Sequence, residues 1–212
     1  MKRSRSPRAD LSTWRENPDG SRARTYASYQ AYVNHQESKL GTMTPDSLRE
    51  NDERLRAALM NRLSELPFSL RGKAALCLGA RTGAEVSAFH FFGSFAVGID
   101  LNPGPANHHV LPGDFHGTVF PECSVDVVYT NALDHAHDLP KVIQEARRLL
   151  RIAPAGHLVV DATTKVLGEY ESFAWESIDG LQATIEAQGF RLIERNPIAE
   201  PWAGEQLVLV RA

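Results

Sequence analysis

From Lys73 onward the chain repeats one pattern: a short apolar run, a turn residue, then in several places a stretch with helical spacing. KAALCL, SFAVGID, HHVLPGD, SVDVVYT, GHLVVDA, FRLIER and EQLVLVR are seven runs of strand length. Between the fourth and fifth, DLPKVIQEARRLL carries Leu139, Val142, Ile143, Ala146, Leu149 and Leu150 on one face, and Asp138 is placed to cap it. Strands alternating with helices predict a three-layer, doubly wound α/β fold around a mostly parallel seven-stranded sheet.

The residues before this pattern read differently. Positions 1–20 mix Arg, Ser, Pro, Asp and Gly without apolar periodicity, which predicts a disordered basic tail. TYASYQAYVNHQ then sets Tyr26, Tyr29 and Val33 on one helical face with Tyr32 beside them, and a turn follows at Gly41. Thr44 caps a second helix, with Pro45 at its first position. Its stripe runs Leu48, Leu55, Leu59, Leu63 and Leu66, and Pro67 ends it. The chain thus divides into a tail (1–20), N-terminal helices placed to cover a cofactor and substrate (21–70) and an α/β domain that would bind the cofactor (71–212). The three tyrosines either line a pocket or pack their helix onto the sheet. Trp175 and Trp202 stand on a second candidate lid.

Charge and cysteine usage narrow the classes. Net charge is -3, but residues 1–24 carry +4, so the remainder carries -7. An acidic body is a poor match for a phosphate backbone, which argues against nucleic acid, and the tail reads as solvated. No apolar run approaches the roughly 18 residues of a membrane helix. The basic start lacks the apolar segment of a secretory signal. Cys77 and Cys123 lie far apart without a ligand pattern, which predicts a reducing, cytoplasmic setting. The oligomeric state stays open, a homodimer included.

In such sheets the ligand sits beyond the carboxyl ends of the strands, so the residues after each run matter: 79–83, 100–102, 114–116, 131–135 and 161–164. The loop LCLGARTGAEV has Arg81 where a dinucleotide fingerprint wants its second glycine, and Ala84 where it wants another. A long side chain there obstructs a pyrophosphate, which argues against an NAD-type enzyme. A cofactor without phosphates, such as S-adenosylmethionine, needs no such approach. Arg81 either pairs with its methionine carboxylate or points to solvent. Asp100, 21 residues after Gly79, can accept both hydroxyls of an adenosine ribose. Asp114 can accept the adenine amino group while Phe115 packs on the ring, or simply shape a turn.

The ordered set LCLGARTG, VGIDLN, PGDFH, SVDVVYTNALDHAHDL and EARRLLRIAPAGHLVVD resembles the class I S-adenosylmethionine-dependent methyltransferases of small, single-domain type, over about residues 73–165. The resemblance implies their Rossmann-like fold and methyl transfer that leaves S-adenosylhomocysteine. It implies cofactor contacts at Gly79, Ala80, Arg81, Thr82 and Gly83. It further implies Asp100 on the ribose, Leu101 beside the adenine, Asp114 and Phe115 around its amino group, and Asn131 next to the methionine part. The family's Pro-Gly-Gly turn reads Pro154, Ala155, Gly156. Two departures stand out: the acid two residues before the first glycine is Cys77, and the middle glycine is Arg81. How the amino-acid end is held is left open by both.

Methyl transfer is an in-line displacement, and a hydroxyl acceptor must also lose a proton. His135, in LDHAHD after the fourth strand, suits a general base, or else holds the loop or the substrate. His137 reads as a surface residue ahead of the helix cap. Of His108, His109, His116, Asp134 and Asp161, only the two aspartates roughly fit a divalent-cation site, so no metal is expected. The reading is methylation of a small-molecule acceptor, at oxygen or nitrogen rather than carbon. The rivals are a non-catalytic, cofactor-binding partner protein and an RNA methyltransferase that uses the basic tail.

Overall fold

The computed structural model describes residues 13–104, 107–152, 156–163 and 168–212. Strands β1 (Trp14–Glu16) and β2 (Arg22–Arg24) precede helices α1 (Tyr29–Gly41) and α2 (Pro45–Ser64). Then come β3 (Ala74–Leu78), α3 (Ala84–Phe91), β4 (Phe95–Asp100), β5 (Val110–Pro112), β6 (Val127–Thr130) and α4 (Leu139–Leu149). The chain closes with β7 (His157–Ala162), β8 (Phe173–Ala174), α5 (Ile178–Glu186), β9 (Phe190–Ile198) and β10 (Gly204–Arg211).

All seven apolar runs are strands of one sheet, in the order β5-β4-β3-β6-β7-β10-β9. The first five are mutually parallel, and β10 runs antiparallel between β7 and β9. From β3 the chain steps outward through β4 and β5, then returns to place β6 on the other side of β3. The loops leaving β3 and β6 therefore diverge, and a crevice opens between them.

Alternate residues of each strand face opposite layers, as the pleat requires. Leu76 and Leu78 join Val142 and Ile143 of α4 and Leu181 of α5 in one core. Ala75 and Cys77 join Leu59 and Leu63 of α2 and Phe89 of α3 in the other. Thus α2 supplies part of a helical layer of the sheet itself.

Local chemistry sets the helix ends. Thr44 and Ser47 form a reciprocal capping box at the start of α2. Asp138 accepts the Lys141 amide at 3.1 Å, and the predicted apolar face of α4 is buried. Helix α1 begins at Tyr29, leaving Tyr26 outside it, because Ser28 is extended and its hydroxyl accepts from the Ala31 amide at 3.1 Å.

An ion pair pins α2 across the sheet. The Arg62 guanidinium lies 2.7 Å from Asp161 at the end of β7, with side-chain exposures of 11% and 0%. Tyr129 and Gln206 donate to the same carboxylate at 2.7 and 2.8 Å. Asp161 is thereby engaged by a cation and two neutral donors, not set out for a metal.

The expected tail needs correction over its described part. Residues 14–16 are a strand, and β1, β2 and β8 form a small antiparallel sheet. Residues 17–21 make a bonded turn, with the Asn17 amide donating to the Ser21 carbonyl at 2.8 Å. Arg24 stacks over the Trp14 ring at 5.0 Å and donates to the carbonyls of Glu171 and Gly168. Three-residue strands have too little length to show a period, and their pairing partners lie far along the chain. Residues 1–12, Pro154, Ala155 and Thr164 fall outside the described residues.

Candidate active site

The loop after β3 is shaped by three left-handed residues, Gly79, Arg81 and Gly83. Gly79 has φ +72, and a Cβ there would come within 2.5 Å of the Ala132 Cβ, so only glycine lets these backbones close on the crevice. Arg81 has φ 40, the conformation a glycine would take easily. Its backbone amide donates to Asp100 at 2.9 Å. The Asn102 amide donates to the other oxygen of Asp100, also at 2.9 Å. Each oxygen is fixed by one amide and keeps further acceptor capacity at the crevice.

The Arg81 side chain does not run free into solvent. It reaches back toward α2, with Nη2 3.8 Å from Asp52 and Nη1 3.6 Å from the Met43 sulfur. Its Nε is buried without a partner among the described residues. Thr82 also donates to Asp52, which turns that side chain away from the crevice.

Gly79, Arg81, Asp100, Leu101, Phe115, Asn131 and His135 all line one cavity of about 200 Å³. Seven predicted positions from four separate stretches meet there. Ala80 is buried behind the loop, while Thr82 and Gly83 open on a different, shallow surface. Asp114 lies beside the cavity rather than in its lining. Its carboxylate accepts from the Tyr29 hydroxyl, and from the His116 amide and ring Nδ1 at 2.9 and 2.7 Å. These bonds hold the Asp114 carboxyl down at a pKa of about 2 despite the opposing cost of burial.

The roof draws on the expected cover, with Tyr32, Trp175 and Trp202 in it, and adds residues that had not been singled out. Tyr32, Gln36, Lys39 and Leu40 of α1 face the cavity, as do Leu55 of α2, Trp175 and Trp202. The Asn102 side chain donates to the Glu37 carbonyl at 2.8 Å, and the Gln36 amide donates to the Tyr170 carbonyl at 2.8 Å. Tyr32 is fully buried and donates to the His135 carbonyl at 3.1 Å. Tyr29 serves Asp114, and Tyr26 bonds Ser172 at 2.7 Å. The three tyrosines thus have three different partners. His137 is not a surface residue: its ring packs among them, with centroids 5.2 to 5.7 Å away.

His135 is bonded at both ring nitrogens. Nδ1 lies 2.9 Å from the Tyr170 carbonyl and Nε2 lies 2.9 Å from the Lys39 ammonium. A carbonyl only accepts and an ammonium only donates, so the neutral ring carries its proton on Nδ1. Burial pushes the His135 pKa below 6.5, against the pull of Asp134, whose carboxylate is 3.8 Å away. The ring is therefore neutral at pH 7.

Glu85 is the residue the sequence reading passed over. It sits in the first turn of α3, is 4% exposed, and lines the same cavity. The Asn131 side chain donates to it at 3.1 Å. No periodic or motif signal marked it, because a glutamate near a helix N-terminus is ordinarily a solvated residue.

Residues 76–160 match the family model described as a methyltransferase domain. That stretch of the chain is similar to the methyltransferase domain of this family. No curated protein matches this chain in sequence. Solved structures match its fold. One is the 1,6-didemethyltoxoflavin-N1-methyltransferase of Burkholderia thailandensis, solved with that compound and S-adenosylhomocysteine. It has a TM-score of 0.70 at 14% identity, over 94% of this chain and 99% of that one. A second is a Haloferax volcanii protein in complex with the Trm112 methyltransferase activator, at 0.64 and 16%, over 77% and 92%. A third is a methyltransferase from Aquifex aeolicus, at 0.60 and 14%, over 80% and 100%. At these identities the likeness concerns the fold alone. It fits a seven-stranded sheet whose last strand pair is antiparallel.

The donor set fits S-adenosylmethionine. Gly79 leaves a cradle that a Cβ would fill, Asp100 presents an oriented carboxylate, and Arg81 lines the same cavity with a Nε–H that has no partner among the described residues. Among the described residues, no helix is long and apolar enough to cross a membrane.

Proposed function

We propose that this methyltransferase acts on a small-molecule acceptor, at oxygen or nitrogen. One observation carries the proposal: Asp100, Arg81 and His135 face a single cavity of about 200 Å³ that α1, Trp175 and Trp202 roof over. A roofed space of that size suits a compact acceptor better than an RNA strand or a protein surface. The Burkholderia thailandensis protein, named for 1,6-didemethyltoxoflavin as acceptor and N1 as its methylated position, is in line with this reading.

When bound, S-adenosylmethionine supplies an electrophilic methyl group on a sulfonium. Asp100, held by two amides, takes the ribose hydroxyls, and Leu101 and Phe115 pack beside the base. Gly79 lets the chain pass close, and Arg81, turned from Asp52 toward the cavity it lines, would pair with the methionine carboxylate. Helices α1 and α2 keep water from the reacting groups. At the far end, Lys39 and His135 present an ammonium and a neutral imidazole to the acceptor. An acceptor hydroxyl that displaces Lys39 from Nε2 gives its proton to His135, and Lys39 steadies the oxygen left behind.

The test is release of S-adenosylhomocysteine by the purified chain across a panel of phenols, carboxylates, amines and nitrogen heterocycles. Turnover with at least one small acceptor is expected. Cofactor binding by calorimetry with no release across the whole panel would overturn the acceptor assignment. Asp100→Ala is expected to weaken S-adenosylhomocysteine binding by about tenfold or more, because the ribose hydroxyls lose a charged partner. Unchanged affinity in the same calorimetric titration removes Asp100 from the sugar.

A further inference from the structure

The family's usual acid two residues before the first glycine is absent, and Cys77 stands in its place, fully buried in the sheet. Across the crevice wall a different carboxylate is present. Glu85 projects from α3, is 96% buried by its 4% exposure, and lines the cavity that also holds Arg81 and Asn131. Its donors are its own backbone amide and the Asn131 side chain at 3.1 Å, and no ion pair reaches it among the described residues. A carboxylate has room for about four hydrogen bonds. Burying one with two neutral donors is unfavourable unless a cation completes it.

The groups around Glu85 come from every packed element. They are Cys77 on β3, Arg81 in the loop, Asp52 on α2, and Tyr129 and Asn131 at the end of β6. Arg81 is a source of positive charge that acts on Glu85, but it is drawn toward Asp52. Burial raises the Glu85 pKa to about 7, against the pull of Arg81. The chain thus keeps, at neutral pH, a half-charged acid on the wall of its cavity.

We infer that Glu85 receives the ammonium group of the cofactor's methionine end, while Arg81 pairs with the carboxylate of the same zwitterion. The assignment rests on S-adenosylmethionine occupying this cavity. Arg81 and Glu85 are four residues apart and of opposite sign, as an amino acid's two charges require. The assignment also explains a cost carried by the fold. A carboxyl whose pKa is raised contributes stability below its unfolded value of 4.5 and loses it as pH rises through about 7. Binding the ammonium reverses that loss.

The experiment compares two ligands on the wild-type chain and on Glu85→Gln. S-adenosylhomocysteine carries the amino acid; 5′-methylthioadenosine carries the nucleoside without it. By calorimetry, Glu85→Gln is expected to lower affinity for the first about tenfold or more and to leave the second unchanged. Its thermal midpoint at pH 8 without ligand is expected to equal or exceed the wild type's. Equal affinity of both proteins for S-adenosylhomocysteine overturns the assignment, and so does a parallel loss for both ligands, which marks a packing role. A wild-type chain that binds neither ligand overturns the cofactor reading itself, and this assignment falls with it. Should the variant not fold, the wild type decides. Binding of S-adenosylhomocysteine near pH 7 is expected to release protons, read from titrations in buffers of different ionisation enthalpy, and 5′-methylthioadenosine none. No release, or equal release with both, overturns it.

Discussion

Replacing His135 by alanine is expected to cut the turnover number about 100-fold or more while leaving S-adenosylhomocysteine affinity unchanged. The expectation follows from the ring's bonds. Tyr170 fixes the proton on Nδ1 at 2.9 Å, which leaves the Nε2 lone pair as the only basic site. Lys39 covers that lone pair at 2.9 Å. Proton removal therefore requires the acceptor to come between the two side chains, and losing the imidazole removes the destination of the proton. Because burial lowers the His135 pKa, the wild-type rate falls only as pH drops below 6.5. Lys39 contributes to that lowering, so Lys39→Met is expected to move the acid limb of the profile to higher pH. Undiminished turnover of His135→Ala at pH 7 would show that the proton leaves by another route.

The same shift has a stability side. His35, His135 and His137 are all pushed below 6.5 by burial, so the neutral ring is the folded-state form of each. Their contribution is present above pH 6.5 and is lost as pH falls through the lowered values.

A second large effect is expected at the pin between α2 and the sheet. Arg62→Ala removes the cation that pairs with Asp161, whose side chain has no exposure; among the described residues no other ion pair reaches it. Tyr129 and Gln206 still donate, but they carry no charge. The carboxylate is then buried without a counter-ion, and the loss is expected to be about 3 kcal/mol, read as a lower urea midpoint. Changing Asp161 to Asn in the same chain removes the charge that needs a partner, so the double variant is expected to recover part of the loss. A cost for Arg62→Ala below about 1 kcal/mol, the range of an exposed pair, would contradict the burial argument. The site feels this pin as well. Asp161 and Leu55 both line the cavity, so loosening α2 opens the wall opposite α1.

Much of this molecule could be read along the chain because its signals are local and repeat. Seven apolar runs became seven strands, and Asp138 and Thr44 cap the helices they were expected to cap. A strand buried on both faces has to be apolar, and a helix start has to satisfy its amides, so composition alone betrays each. The positions after those strands inherited their meaning from the sheet, which is why Gly79, Asp100, Asn131 and His135 meet in one cavity.

Other features depend on partners distant in sequence, and no local pattern announces them. The small sheet joins residues near position 15 to residues near 173, so β1 resembled tail until its partner was placed. Asp114 satisfied every local criterion for the adenine edge, yet Tyr29 and His116 hold its carboxylate beside the cavity. The Lys39–His135 bond spans 96 positions and decides which nitrogen carries the proton. Glu85 gains its importance only from burial against Cys77 and Asn131. Sequence by itself determined the alternating layers and the strand-end positions, since backbone hydrogen bonding and hydrophobic periodicity are short-range demands. The three-dimensional packing alone decided which charges face one another, because electrostatic pairing depends on distance through space and not on distance along the chain.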